Sequence, residues 1–175
     1  WNLCHIPVLP LAENAKAPFK SNFRKETEKA SPGYYSVYLD DYKVKVELTT
    51  SLRGGFHKYT FDDNKVHKVL FDLSRANNRV DEWHIEKAGT NAVEGYQRTG
   101  GDKVHFYAEF NETVQNLETT KEGKRDGYSI VILDAEDQPV TLKIGLSFVS
   151  IANAKENFQK ELSNRDFETV HKDAK

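Results

Sequence analysis

Glu28-Lys29-Ala30-Ser31-Pro32-Gly33-Tyr34-Tyr35-Ser36-Val37-Tyr38-Leu39 decides the fold, together with the two runs that follow it. These are Val44-Lys45-Val46-Glu47-Leu48-Thr49 and Arg53-Gly54-Gly55-Phe56-His57-Lys58-Tyr59-Thr60-Phe61. Ser31-Pro32-Gly33 is turn chemistry, because proline fixes φ and glycine permits a positive φ. Beyond it Tyr35, Val37 and Leu39 fall on one side, and Val44, Val46 and Leu48 alternate with Lys45, Glu47 and Thr49. One dry face and one wet face at period two is the signature of half-buried strands. Asp40-Asp41 supplies the first connecting turn, Arg53-Gly54-Gly55 is read as the second, and Asp62-Asp63-Asn64 closes the third strand.

The same pattern extends outward. Leu3 to Leu9 is apolar but interrupted by Pro7 and Pro10, which confines it to a sheet edge. Ala12 to Lys29 is polar and without a period, and is expected to run extended over the surface. Strands are predicted over Lys68 to Leu73, Arg79 to Lys87, Ala92 to Arg98, Lys103 to Phe110, Tyr128 to Leu133 and Val140 to Phe148. Gly100-Gly101-Asp102 turns into the strand whose Val104, Phe106, Ala108 and Phe110 share a face. Only the tail changes period. Ser150 is a helix N-cap with Ala154, Phe158 and Leu162 stacked four apart, and Asp166 caps a second helix bearing Phe167, Val170, His171 and Ala174. About ten short strands punctuated by turns predict an all-β fold, an antiparallel sandwich with short carboxy-terminal helices. The division expected is residues 1–150 for the sandwich and 151–175 for a helical tail.

Bulk properties narrow the function. A chain of 175 residues suits one domain that buries about two-thirds of its unfolded surface. Its net charge of −2 argues against a nucleic-acid partner, which needs a concentrated basic face. No apolar run approaches the roughly 18 residues of a membrane span. Opening on Trp1 and containing no methionine, the chain is expected to be a piece of a longer protein, its sandwich truncated at the start. Cys4 is the only cysteine and is read as a small buried apolar residue beside Leu3 and Ile6.

Glycoside hydrolysis needs two carboxyl groups across one bond. With 27 acidic residues such pairs are easily drawn, yet Asp40-Asp41 and Asp62-Asp63 sit in turns, where aspartate bonds nearby amides. Asp62-Asp63-Asn64 offers calcium three side chains but no complete loop, and His5, His57, His67, His84, His105 and His171 are scattered. No catalytic residue and no metal ligand is assigned. Sugars are also gripped by aromatic faces, which makes Trp1, Trp83, Tyr34, Tyr42 and Tyr96 candidates; for Trp83 in its strand, the core is the favoured place.

The opening run resembles the amino-terminal β-domain of glycoside hydrolase family 92, the bacterial calcium-dependent α-mannosidases. Gly95-Tyr96-Gln97-Arg98 and Val104-His105-Phe106-Tyr107-Ala108-Glu109-Phe110 are similar to its middle strands, and Val140 to Ile151 to its last strand. Asn153-Ala154-Lys155-Glu156-Asn157 and Asp166-Phe167-Glu168 continue into its linker helices. The resemblance implies a galactose-mutarotase-like supersandwich followed by an (α/α)₆ barrel that hydrolyses α-mannosides with inversion. It places the catalytic carboxylates and most calcium ligands in that barrel, outside this chain. It further implies a periplasmic or secreted setting and mannose-containing glycans as partners. The β-domain packs on the barrel and completes one wall of the sugar pocket, and by position Trp1 is the sugar-contact residue. The family's longer loop after the Tyr96–Arg98 strand is reduced here to Thr99-Gly100-Gly101-Asp102, which leaves linkage preference open. The alternative is a free-standing carbohydrate-binding sandwich module. It predicts an exposed aromatic platform, whereas the family reading predicts an exposed apolar patch where the barrel docks.

Overall fold

A computed structural model describes residues 5–62, 66–134 and 139–175. All strand pairings in it are antiparallel, and they build two sheets of unequal size. The larger is ordered β2 (Lys29–Ser31), β3 (Tyr34–Leu39), β4 (Val44–Thr50), β5 (Gly54–Phe61), β12 (Val140–Ser147), β9 (Asp102–Phe110), β8 (Ala92–Thr99), β7 (Val80–Lys87). The smaller is ordered β1 (Val8–Leu11), β6 (His67–Phe71), β11 (Asp126–Leu133), β10 (Val114–Glu122). The sandwich expected from the alternation is therefore the observed architecture. Registers follow the pattern that predicted them: Tyr35 faces Leu48, Val37 faces Val46 and Leu39 faces Val44.

Between the sheets lies one continuous apolar core. It takes Val104, Phe106, Ala108 and Phe110 from β9, Tyr59 and Phe61 from β5, and Val69, Leu70 and Phe71 from β6. The opposite, outer face of the large sheet carries a second cluster, in which Phe56 and Tyr107 pack under two helices. These are α1 (Ile151–Glu161) and α2 (Phe167–Asp173). Both caps form as the sequence predicts. Ser150 accepts from the Asn153 amide at 3.1 Å and Asp166 from the Thr169 amide at 2.7 Å. Ala154, Phe158 and Leu162 are buried at 0, 3 and 0% exposure, so the four-residue spacing marked the seated face of α1.

Several details differ from the sequence reading. Gly54-Gly55 is not the turn but the start of β5, and the turn lies at Ser51-Leu52-Arg53. Gly54 is needed as glycine for contact, since a Cβ there would stand 2.7 Å from the Leu162 side chain of α1. β10 was not foreseen because it is an edge strand, polar on both faces through Gln115, Asn116, Glu118, Thr119 and Thr120. Nor was β2, a three-residue exposed edge between the run read as connection and the Ser31-Pro32-Gly33 turn. β12 stops at Ser147, one residue short of Phe148. The first strand, β1, lies at a sheet edge as expected, but it runs over Val8–Leu11 and takes in Pro10 where Leu3 to Leu9 was read.

A polar pair lies beneath the large sheet, with Tyr59 fully buried and His57 half-buried. His57 Nδ1 lies 2.7 Å from the Tyr59 hydroxyl, and burial lowers the imidazole to about 4 while raising the phenol. Because the folded pKa is depressed, the unfolded chain binds more protons between about pH 6.5 and 4. Stability is thus full above pH 6.5 and falls as pH drops through that window, by about 2 kcal/mol once partial solvent contact is allowed for. Urea titrations at pH 7 and 4.5 read this loss. His57→Gln is expected to shrink it, and an unchanged pH dependence would show that another group controls it.

Candidate functional site

The strand registers bring several chain segments to one rim of the sandwich. Val80 pairs with Thr99, Thr99 with Asp102, His105 with Ser147, and Gly145 with Gly54. The starts of β7, β9 and β5 and the ends of β8, β12 and β4 therefore share this rim. At it the chain leaves β12 and immediately enters α1. The Val149 amide donates to Ser147 Oγ at 3.0 Å, and Ser150 caps the helix, so the two residues between strand and helix are held outward. Those residues are Phe148 and Val149, exposed at 68 and 76%. Across from them stands Leu52 of the β4–β5 turn, at 85%.

Leu52, Phe148 and Val149, with half-buried Leu146 and the polar Asn153 and Asn157, line a cleft of about 440 Å³. Its walls are braced. Asn157 Nδ2 donates to the Leu146 carbonyl at 2.8 Å, while the Arg53 amide and Nε donate to the Glu161 carboxylate at 2.9 and 2.8 Å. Burial raises the Glu161 carboxyl, but these bonds outweigh it and hold the group below its ordinary range. Three large apolar side chains fixed in water at one rim are costly, and contiguous patches of this kind mark interaction sites.

The described chain begins at this same rim. His5 lies edge-on to Phe148, with ring centroids 6.4 Å apart, and the Ile6 amide donates to the buried Gln97 side chain at 3.3 Å. The outer face beside it carries His105, Tyr96 and His84, with the Lys103 ammonium 3.5 Å above the Tyr96 ring. Burial pushes the His105 imidazole down, against a hydrogen bond with the Ser147 main chain that pushes it up. Nδ1 of His5 and Nδ1 of His105 are both buried without a hydrogen-bond partner. A buried polar atom left unpaired costs about 1–3 kcal/mol, so this rim is also where added polar groups gain most.

Trp1 and Cys4 lie outside the described residues, as do Asp63 and Asn64. Trp83 is core, 1% exposed, its indole N–H donating to the Arg125 carbonyl at 2.6 Å. Tyr34 bonds Glu47 and packs on His171 of α2, and the Tyr42 hydroxyl accepts from the Lys20 amide. Tyr96 stays half-exposed on the outer face. Asp40 pairs with Arg24 at 3.2 Å, Asp41 accepts from the Asn22 amide at 2.7 Å and Asp62 accepts from the Tyr38 hydroxyl. These three carboxylates serve turns and strands. Among the described residues no three acidic, histidine or cysteine side chains converge as a metal group. Nor is any helix there long and apolar enough to cross a membrane. The sequence reading missed Leu52, Phe148 and Val149. Continued alternation puts Phe148 inward with Leu146, and only the adjacent N-cap at Ser150 hints that the strand ends first.

Fold and rim together define a β-sandwich domain, filled inside and presenting a braced apolar rim. The chain belongs to the family of the Glycosyl hydrolase family 92 N-terminal domain, whose model matches residues 2–147. Three solved structures share the fold. The GH92 α-mannosidase BT3965 from Bacteroides thetaiotaomicron superposes with a TM-score of 0.87 at 23% identity, covering 99% of this chain and 28% of its own. The GH92 inverting mannosidase BT2199 of the same organism gives 0.82 at 21%, covering 95% and 25%. The GH92 glycosyl hydrolase ccman5 gives 0.82 at 20%, covering 97% and 27%. The chain thus spans about a quarter of the length of these proteins. A comparison with curated proteins returns no match.

Proposed function

We propose that this chain is the non-catalytic amino-terminal domain of an α-mannosidase that hydrolyses α-mannosides with inversion. It supports a carboxy-terminal (α/α)₆ barrel and completes one wall of its sugar pocket. The observation that carries this reading is the braced apolar rim of Leu52, Phe148 and Val149 in a chain of this family. A free-standing sugar-binding module calls for an exposed aromatic platform instead, and of the aromatics considered, Trp83, Tyr34 and Tyr42 are tied into the fold.

Trp1 is assigned to the sugar contact, supported by the approach of His5 to the Phe148 side of the rim. Calcium is assigned to groups of the barrel, as the family resemblance implies. The working compartment follows the family resemblance and is periplasmic or secreted. The test is to incubate and titrate the 175-residue chain with mannose and α-linked mannobiose, with and without calcium. Neither turnover nor binding of these neutral sugars is expected. Turnover would overturn the non-catalytic assignment, and clear calcium-independent binding would favour the autonomous module.

A further inference from the structure

A second feature of the molecule is polar and lies around the β6–β7 loop. That loop meets the β10–β11 turn in a cleft of about 470 Å³ lined by Arg75, Arg79 and Arg125 together with Asn77 and Asn78. Three of the chain's seven arginines thus converge from two separate connections, in a chain whose net charge is −2. Among the described residues on its wall Asp126 is the one carboxylate, and Asp72 and Glu122 line the adjoining cleft. Arg75 is held by Asp72 at 2.9 Å, whereas no carboxylate among the described residues pairs with Arg79 or Arg125. Clustered guanidinium groups repel one another, and a bound anion removes that cost.

The backbone that carries them is fixed from beneath. Gln97, fully buried, donates through Nε2 to the carbonyls of Leu73 and Arg75 at 2.9 and 2.8 Å. The Arg125 carbonyl receives the Trp83 indole N–H. Arg125 itself is half-buried, so its guanidinium has fewer orientations to lose on binding.

Ser74, Arg75 and Asp126 also line a neighbouring cleft of about 510 Å³. The neighbour has an aromatic wall, Phe19 edge-on to Tyr128 with centroids 4.9 Å apart. Thr120, beside Tyr128 in the strand register, and Glu122 line the same cleft and can take hydroxyl groups. One compartment thus suits a planar or tetrahedral anion and the next an apolar ring face edged with hydroxyls.

We propose that the two adjoining clefts bind an anionic saccharide, with its phosphate or carboxylate among Arg75, Arg79 and Arg125 and its ring along Phe19 and Tyr128. That the anion is carried on a sugar rests on the glycosidase reading above; the arginine site itself does not. Calorimetric titration of the chain at low and physiological salt tests it, using mannose 6-phosphate, a glucuronate-containing disaccharide, inorganic phosphate and α-linked mannobiose. At least one of the two anionic sugars binds, more weakly at higher salt, while α-mannobiose does not. Whichever of the two binds more tightly identifies phosphate or carboxylate as the source of charge. Arg79→Ala and Arg125→Ala each weaken that binding about tenfold, the loss expected for a charge-assisted hydrogen bond. Their thermal midpoints stay within about 2 °C of the parent, since Arg79 is exposed and Trp83 holds Arg125 only through its backbone. Inorganic phosphate bound as tightly as the anionic sugar would overturn the saccharide assignment. Absence of binding by both anionic sugars, or binding untouched by the two substitutions, would overturn the site. Turnover of α-mannobiose would defeat the reading of the preceding subsection while leaving this titration intact.

Discussion

Trp83→Ala lowers the stability of this domain by about 4 kcal/mol, the usual cost of truncating a large buried aromatic. Trp83 sits on β7, the edge of the large sheet, yet only 1% of it is exposed. What covers it is the end of the β10–β11 hairpin at the edge of the small sheet. Its indole N–H donates to Arg125, and the Lys121 ammonium lies 4.2 Å over its ring while donating to the Trp83 carbonyl. Burial holds that ammonium below its ordinary range. The side chain therefore joins the two sheets along one open side, and removing it leaves a cavity, an unpaired carbonyl and an uncovered cation together. For a chain of this size the thermal midpoint falls by roughly 8–16 °C. Trp83→Phe keeps the packing and loses the hydrogen bond, at a cost of about 1 kcal/mol. Calorimetry of both variants decides the matter: an alanine variant as stable as the parent would mean that the hairpin closes the side without the indole.

This prediction also shows where sequence reading succeeds. The core face of each central strand was legible because burial on one side only imposes period two on the residues themselves. Val44, Val46, Val104 and Phe106 could stand on no other face. The helix caps were legible because Ser150 and Asp166 meet a local need, an orphaned amide three residues on. Trp83 was placed in the core by its strand setting, but its partners in the hairpin lie about forty residues away and no spacing announces them. β10 escaped because an edge strand with two wet faces carries no alternation. The rim escaped for another reason. Phe148 continues the parity of Leu146, and its exposure is set by a side-chain bond from Ser147 that ends the strand early. The arginine cleft is tertiary in the same sense. Arg75 and Arg79 are close in sequence, but Arg125 joins them only through the pairing of β11 with β6 and the bond of its carbonyl to Trp83.

Gly145→Val is the second change with a large expected effect, because it acts where a helix lies directly on a sheet. Gly145 pairs with Gly54 in the middle of the large sheet, leaving a patch without side chains on the outer face. α1 rests on it. A Cβ at Gly145 would stand 2.4 Å from the Ala154 carbonyl oxygen and 2.7 Å from the Phe158 Cβ, and both belong to the helix. Neither is the movable end of a flexible side chain, so α1 itself must shift. Lifting it exposes Phe158 and Leu162, each worth about 1.5–3 kcal/mol when buried. It also breaks the edge-on contact of Phe158 with Tyr107, whose centroids are 5.1 Å apart. A loss of about 4 kcal/mol follows, limited by release of the helix while the sandwich beneath it persists. Hydrogen exchange should then rise in α1 far more than in β9, and protease should cut between Ile151 and Leu162 first. Gly55→Ala is the control on the neighbouring position: its Cβ would meet only the His57 ring at 3.4 Å, an ordinary contact. If Gly145→Val retained parent-like protection in α1, the glycine pair would not be what seats the helix. Release of α1 also undoes the Ser150 cap that presents Phe148 and Val149, so one branched side chain beneath the helix disorders the rim where the proposed barrel docks.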